Sequence, residues 1–273
     1  MALNGHVLRV AAVGDVHCSK SSQGTLQPLF ARAAERADVL VLCGDLTDYG
    51  LADEARVLAR ELSGIKMPVL GVLGNHDFES GHAEEVCAIL GEAGVRVLDG
   101  DGVEIQGVGF AGVKGFAGGF GSRALQSWGE PVLKSFVREA VEEALKLEAA
   151  LARLRTAQRV AVLHYSPIRA TVENEPDEIM PFLGSSRLEE PINRYGAALV
   201  VHGHAHHGAP EGRTSTGVPV FNVALPVLKA LFADQPPFRV FEIPVDAGPP
   251  ITSPPSGPAP TSIATRAVEA AAP

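Results

Sequence analysis

Five short apolar runs, each ending abruptly in polar residues, constrain the fold of this 273-residue chain more than any other feature. Val7–Val13 leads into Gly14-Asp15-Val16-His17, Val39–Cys43 into Gly44-Asp45-Leu46-Thr47-Asp48, and Val69–Leu73 into Gly74-Asn75-His76-Asp77. Further on, Val160–Leu163 ends at His164, and Ala198–Val201 ends at His202-Gly203-His204-Ala205-His206-His207. Unbroken Val, Leu and Ala runs of this length read as strands buried on both faces. Stripes at helical spacing lie between them: Leu26, Leu29, Phe30, Ala33 and Ala37, then Leu51, Ala55, Leu58, Ala59 and Leu62. Val86, Ile89, Leu90 and Ala93 form a third. This alternation predicts a parallel α/β arrangement. Such sheets bind ligands beyond the carboxyl ends of their strands, so the five polar clusters are expected to meet at one edge.

After Asp101 the texture changes. Val103–Val108 and Phe110–Val113 read as strands, and a glycine-rich stretch follows over 115–121. A long helix begins near Pro131, with Leu133, Phe136, Val137, Ala140, Val141, Ala144, Leu151 and Leu154 on one face. Val218–Val223 and Phe238–Ile243 read as closing strands. From Asp246 onward the chain is Pro, Ala, Ser and Thr with few large apolar side chains. That composition cannot bury enough surface to offset its ordering entropy. The expected division is one domain over 1–245 and a flexible tail over 246–273.

Charge and cysteine content exclude several classes. A net charge of −9 argues against a nucleic-acid polymer as partner. Cys18, Cys43 and Cys87 are too few and too scattered for a disulfide framework or a cysteine-rich zinc module. Arg9 interrupts the first apolar run, no small-residue cleavage site follows it, and no apolar stretch has membrane-spanning length. A cytoplasmic enzyme with no membrane partner is the expectation.

The strand-end residues Asp15, His17, Asp45, Asn75, His164, His204 and His206 comprise two carboxylates, one amide and four imidazoles. Mixed nitrogen and oxygen donors without thiolate suit Mn²⁺, Fe or Zn²⁺. Seven donors exceed what one catalytic ion with an open position needs; they suit two divalent ions sharing a carboxylate. Two such ions against two carboxylates leave a local charge of about +2, which attracts an anion and lowers the pKa of bound water. Phosphate ester hydrolysis uses both effects. His6, His82 and His207 receive no role, alternation turns His202 away from the side of His204, and Cys18 reads as a small buried thiol. Lys20, Lys114 and Arg123 are candidates for holding a substrate phosphate. Gly119–Ala124 only superficially resembles a dinucleotide loop, because no βαβ unit surrounds it, and reads instead as a flexible glycine-rich surface loop.

Asp15-x-His17, Gly44-Asp45-x-x-Asp48, Gly74-Asn75-His76-Asp77, His164 and Gly203-His204-x-His206 together resemble, in order, the motifs of the calcineurin-like metallophosphoesterase family. The resemblance spans roughly residues 7 to 223. It implies a four-layer αββα sandwich with two mixed sheets flanked by helices. It also implies that Asp15, His17 and His206 hold one ion, that Asn75, His164 and His204 hold the other, and that Asp45 bridges them around a hydroxide nucleophile. His76 would face the leaving-group oxygen, with Asp48 orienting it. Tyr49-Gly50 and Asp77 stand where phosphoprotein phosphatases carry Arg and Glu, and lipid-A precursor hydrolases have Arg in place of His76. Little of the chain remains for the capping domains of double-strand-break nucleases. What is left resembles small bacterial-type phosphodiesterases acting on cyclic nucleotides or other small soluble diesters. The alternatives are a phosphomonoesterase of the same fold and, in a different class, a noncatalytic protein-binding scaffold.

Overall fold

A computed structural model describes residues 6–233 and 235–245. In chain order the first half runs β1 (His6–Val13), α1 (Gln27–Arg36), β2 (Val39–Cys43), α2 (Ala52–Leu62), β3 (Val69–Val72), α3 (Ala83–Glu92), β4 (Val95–Val97), β5 (Asp101–Ile105) and β6 (Val108–Val113). The second half runs α4 (Pro131–Arg153), β7 (Gln158–Leu163), α5 (Glu189–Tyr195), β8 (Leu199–His202), β9 (Glu211–Arg213), β10 (Pro219–Asn222), α6 (Leu225–Leu231) and β11 (Arg239–Val245). The expectation for the 246–273 tail lies outside the described residues.

The strands form two mixed sheets, ordered β11-β1-β2-β3-β4 and β5-β6-β7-β8-β10-β9. β1 to β4 run parallel and β11 closes the edge antiparallel; β6, β7, β8 and β10 run parallel between antiparallel β5 and β9. Alternation along β7 explains the layering. Val160 and Val162 join one core with residues of the first sheet, whereas Ala161 and Leu163 join another with Leu147, Ala150 and Leu151 of α4. The first face binds sheet to sheet and the second binds sheet to helix. This is the expected α/β sandwich.

Local chemistry fixes where the helices begin. α1 has no side-chain cap of its own. Glu61 from α2 supplies one instead, its carboxylate accepting the N–H groups of Gly24, Leu26 and Gln27 at 2.6–2.9 Å. A carboxylate there satisfies free helix donors and complements the helix dipole. Glu54 does the same for α2, accepting from the N–H groups of Tyr49 and Leu51. Among the described residues, no helix is long and apolar enough to cross a membrane.

One expectation needs correction and another holds only in part. The first strand after Asp101 ends at Ile105 rather than Val108, because Gln106 and Gly107 both adopt positive φ and make a tight hairpin turn into β6. The glycine-rich stretch forms a buried to half-buried wall up to Phe120 and is exposed over Gly121–Arg123, so the loop expected at Gly119–Ala124 starts inside the wall and reaches the surface only after Phe120. Gly118 N–H donates to the Pro181 carbonyl and Gly119 N–H to that of Gly184, both at 2.9 Å, while Gly119 accepts from Ser186 N–H at 3.1 Å. Glu143 of α4, itself buried, anchors its start by accepting from Gly115 N–H at 2.7 Å.

Candidate metal centre

The polar clusters at the ends of β1, β2, β3, β7 and β8 converge. Backbone hydrogen bonds tie the first two together: Asp15 N–H donates to the Gly44 carbonyl, His17 N–H to that of Asp45 and Cys18 N–H to that of Leu46, all at 2.9–3.0 Å. Gly203 N–H donates to the His164 carbonyl and links the second pair. Within this frame Asp15, His17, Asp45 and His206 offer donor atoms that lie within 4.8 Å of one another, and so do Asp45, His164 and His204. Asp45 belongs to both groups. Its Oδ2 lies 3.8 Å from His17 Nε2 and its Oδ1 lies 3.4 Å from His164 Nε2. Asn75 Oδ1 stands 2.9 Å from the same His164 nitrogen, and His206 Nε2 stands 3.0 Å from Asp15 Oδ1. All seven residues singled out from the sequence thus meet in one place.

Four of them are conformationally unusual. Asp15, His17, Asp45 and His204 all have φ between 42° and 70°, the left-handed region that non-glycine residues seldom enter. Such conformations cost about 1–3 kcal/mol each and persist only where the surroundings enforce them. Here the enforcement is visible: both oxygens of Asp15 accept from His204 N–H at 3.0 Å, and Asp45 Oδ1 accepts from His76 N–H at 2.9 Å. Four strained residues in one cluster mark a site rather than a turn.

The donor set fits a cation. Asp15 and Asp45 are buried, and among the described residues neither pairs with Lys or Arg. Buried carboxylates without a compensating charge are costly. His17 carries two buried ring nitrogens with no hydrogen-bond partner at all. His164 is fully buried, its Nδ1 facing the Cys43 carbonyl at 3.0 Å and its Nε2 facing the Asn75 amide oxygen; a neutral ring can donate to only one of them. A metal between these groups would resolve all three conflicts. Burial holds His204 down to about 3 and also lowers His17, so both present lone pairs; contact with the Asp15 carboxylate raises His206. His204 Nε2 donates to the Phe182 carbonyl at 3.2 Å, leaving Nδ1 as its free lone pair.

A sequence profile described as calcineurin-like phosphoesterase matches residues 8–208. The chain belongs to this family. No curated protein matches it in sequence. Among solved structures, the phosphopantetheinyl hydrolase of Mycobacterium tuberculosis is similar with a TM-score of 0.62 at 17% identity, over 85% of this chain and 95% of that one. The TT1561 protein of Thermus thermophilus follows with a TM-score of 0.52 at 17% identity, over 88% of this chain and all of that one. At these identities the likeness speaks for the fold alone.

Other side chains take places that the motifs left open. His76 Nδ1 donates to the backbone carbonyl of Asp48 at 2.7 Å, so Asp48 contacts that ring through its main chain and not through its carboxylate. The Asp48 carboxylate instead lies 3.6 Å from His17 Nδ1. Asp77, fully buried at the end of the third block, accepts from the N–H groups of Leu46, Thr47 and Gly74 and from the Thr47 hydroxyl at 2.6–3.1 Å. It staples the second and third blocks together, a role its place in the motif does not reveal. Asn222 holds the last block by donating to the Ala205 carbonyl at 2.7 Å; an isolated Asn after a strand carries no signal for this. His202 is buried, exchanges a hydrogen bond with the Thr171 hydroxyl at 2.8 Å, and is held down to about 4 by desolvation, in keeping with a structural part. Cys18 is a buried thiol that desolvation pushes up to about 12. Lys20 pairs with Asp53 at 3.1 Å on the surface. Lys114 lies over the rings of Phe78, Phe116 and Tyr165 at 4.8–5.5 Å and donates to the Gly115 carbonyl.

Proposed function

We propose that this phosphoesterase is a binuclear metal-dependent hydrolase that favours small phosphodiesters. One observation carries the reading: the buried Asp45 carboxylate faces His17 with one oxygen and His164 with the other, so one side chain serves both donor groups. Asp15, His17 and His206 would hold one ion, Asn75, His164 and His204 the second, and Asp45 both. Bound there, two Mn²⁺ or Fe ions, or Zn²⁺, would neutralise the phosphate and lower the pKa of coordinated water. The chain's own contribution is arrangement. The Asp15 and Asp45 carboxylates and the His164 and His204 rings are held by backbone contacts before any substrate arrives, which saves reorganisation during the reaction.

His76 supports the diester preference. A carbonyl can only accept, so the contact with Asp48 places a proton on His76 Nδ1 and leaves Nε2 for the reacting group. Its ring packs edge-on to that of His17, with centroids 4.6 Å apart, at the rim of the donor cluster. In the imidazolium form Nε2 can protonate a departing alkoxide, help typically worth about 10² to 10⁴ in rate. The test joins metal analysis with a substrate panel of phosphomonoesters, linear diesters and cyclic nucleotides in Mn²⁺. Close to two metals per chain and cleavage of the diesters are expected. His76→Ala should slow a 2′,3′- or 3′,5′-cyclic nucleotide far more than bis(p-nitrophenyl) phosphate, whose leaving group needs little protonation, and should keep its metal. Equal losses on both substrates would remove the acid role, and cleavage of monoesters alone would overturn the diesterase reading.

A further inference from the structure

The glycine-rich wall encloses a cavity of about 410 Å³, within the range of small-molecule sites. Gly118 and Gly119 form one side of it, and Met180, Pro181 and Phe182 form another. Two features connect this cavity to the metal centre. Phe182 lines it and its carbonyl accepts from His204 Nε2, so a single residue touches both. An aromatic series runs the same way: Phe182 to Phe136, Phe136 to Phe116, Phe116 to Tyr165 and Tyr165 to His204, with centroids 4.3–6.4 Å apart.

The cavity is apolar in its walls and charged elsewhere. Phe120, Phe136 and Met180 supply apolar surface. Arg123 and Arg169 also line it, both exposed at its mouth and, among the described residues, without an ion pair or a side-chain hydrogen bond. Asp177 adds one carboxylate, so the lining carries a net charge of +1: two Arg less one Asp. Phe182 keeps 57% of its surface exposed, so its ring offers an apolar face at the cavity beside that of Phe136. A guanidinium without a protein partner is suited to carboxylate or phosphate, which its planar fork can grip with two parallel bonds.

We propose that this cavity is a second subsite of the same centre. It takes the organic part of the phosphate ester: an apolar, preferably planar group carrying an anionic substituent that pairs with Arg123 and Arg169. The inference rests on the phosphodiesterase reading, and its test separates the two. Three esters share one reporter leaving group and differ in the retained group: methyl, phenyl and 4-carboxyphenyl p-nitrophenyl phosphate. The wild type should favour the phenyl over the methyl ester, and the carboxyphenyl over the phenyl ester roughly tenfold in kcat/KM, mainly through KM. Arg123→Gln combined with Arg169→Gln should abolish the carboxyphenyl preference and keep the phenyl preference. Phe182→Ser should do the reverse. Calorimetric titration of methyl-, phenyl- and 4-carboxyphenylphosphonate, which carry the same groups but no ester bond to cleave, into metal-loaded wild-type and Arg-substituted protein reads the subsite apart from turnover, with the same tenfold preference expected in Kd. If no ester is hydrolysed but the titration keeps the arginine-dependent preference, the diesterase reading falls and the subsite stands. Equal affinity for the phenyl and carboxyphenyl phosphonates, or a preference surviving the double substitution, would overturn the subsite.

Discussion

The metal centre and the cavity beside it both depend on glycine, for opposite reasons. At the metal centre glycine makes room. A Cβ on Gly74 would stand 2.1 Å from Asp45 Oδ1 and 2.3 Å from its backbone nitrogen, and one on Gly203 would stand 2.3 Å from Asp15 Oδ2. Neither glycine needs an unusual φ; each is small so that a carboxylate can lie against its backbone. In the cavity wall Gly119 has space, the nearest neighbour of an added Cβ being Pro181 at 3.6 Å, but its φ of 80° belongs to the left-handed region. Steric exclusion acts within fractions of an ångström on the groups that would meet the metals. Backbone conformation acts on the path of a loop. The first kind of glycine is tied to chemistry and the second to shape, so substitutions in the two regions should fail differently.

The largest effect is expected at Asp77, which belongs wholly to the first region. Its carboxylate satisfies three backbone donors and one hydroxyl in a fully buried place. Asp77→Ala strands all four. At about 1–3 kcal/mol per unsatisfied buried group, less what relaxation recovers, a loss of roughly 3–5 kcal/mol in urea denaturation should follow. Activity should fall with it. A variant of wild-type stability would show that the two blocks do not need this staple. Next comes Gly74→Ala. Its Cβ must displace Asp45, and misplacement on the scale of an ångström costs about 10²-fold in turnover. Metal content per chain should drop as well, because Asp45 serves both donor groups. Retention of full activity and metal would break the distinction between room-making and path-making glycines.

The same contrast explains what could be read from the sequence. The convergence of the seven donor residues was legible because each follows an apolar strand and sits in a short block with few alternatives. Asp15, Asp45, Asn75 and His164 end their strands, so topology alone brings them to one edge. The cavity was not legible. Arg169, Asp177, Met180 and Phe182 lie in an irregular segment between β7 and α5, where no periodicity marks which residues face inward. The loop expected at Gly119–Ala124 shows a related limit: glycine content signals unusual backbone, which is packed wall at Gly118 and Gly119 and exposed turn over Gly121–Arg123. The hairpin at Gln106-Gly107 hid inside a run of alternating apolar residues. Three-residue β4 and seven-residue α5 and α6 were too short to show a period. Asp48 shows the finer limit, since a motif names the residue but not which of its oxygens is used.

Gly119→Ala gives the smallest effect and the sharpest test of the comparison. Alanine has space at this position but must either hold φ near 80° or shift the loop. Holding it costs about 1–2 kcal/mol, read as a lower urea midpoint at unchanged slope. Shifting it would disturb the hydrogen bonds from Gly118 and Gly119 to the Pro181 and Gly184 carbonyls, and with them the cavity. The metals should remain, because none of the seven donor residues belongs to this wall. Methyl p-nitrophenyl phosphate, which leaves the cavity empty, should be turned over with little change, while the carboxyphenyl ester should lose most of its advantage. If Gly119→Ala instead removes metal, the strain travels through Phe182 to His204, and the wall and the metal centre are one mechanical unit rather than two.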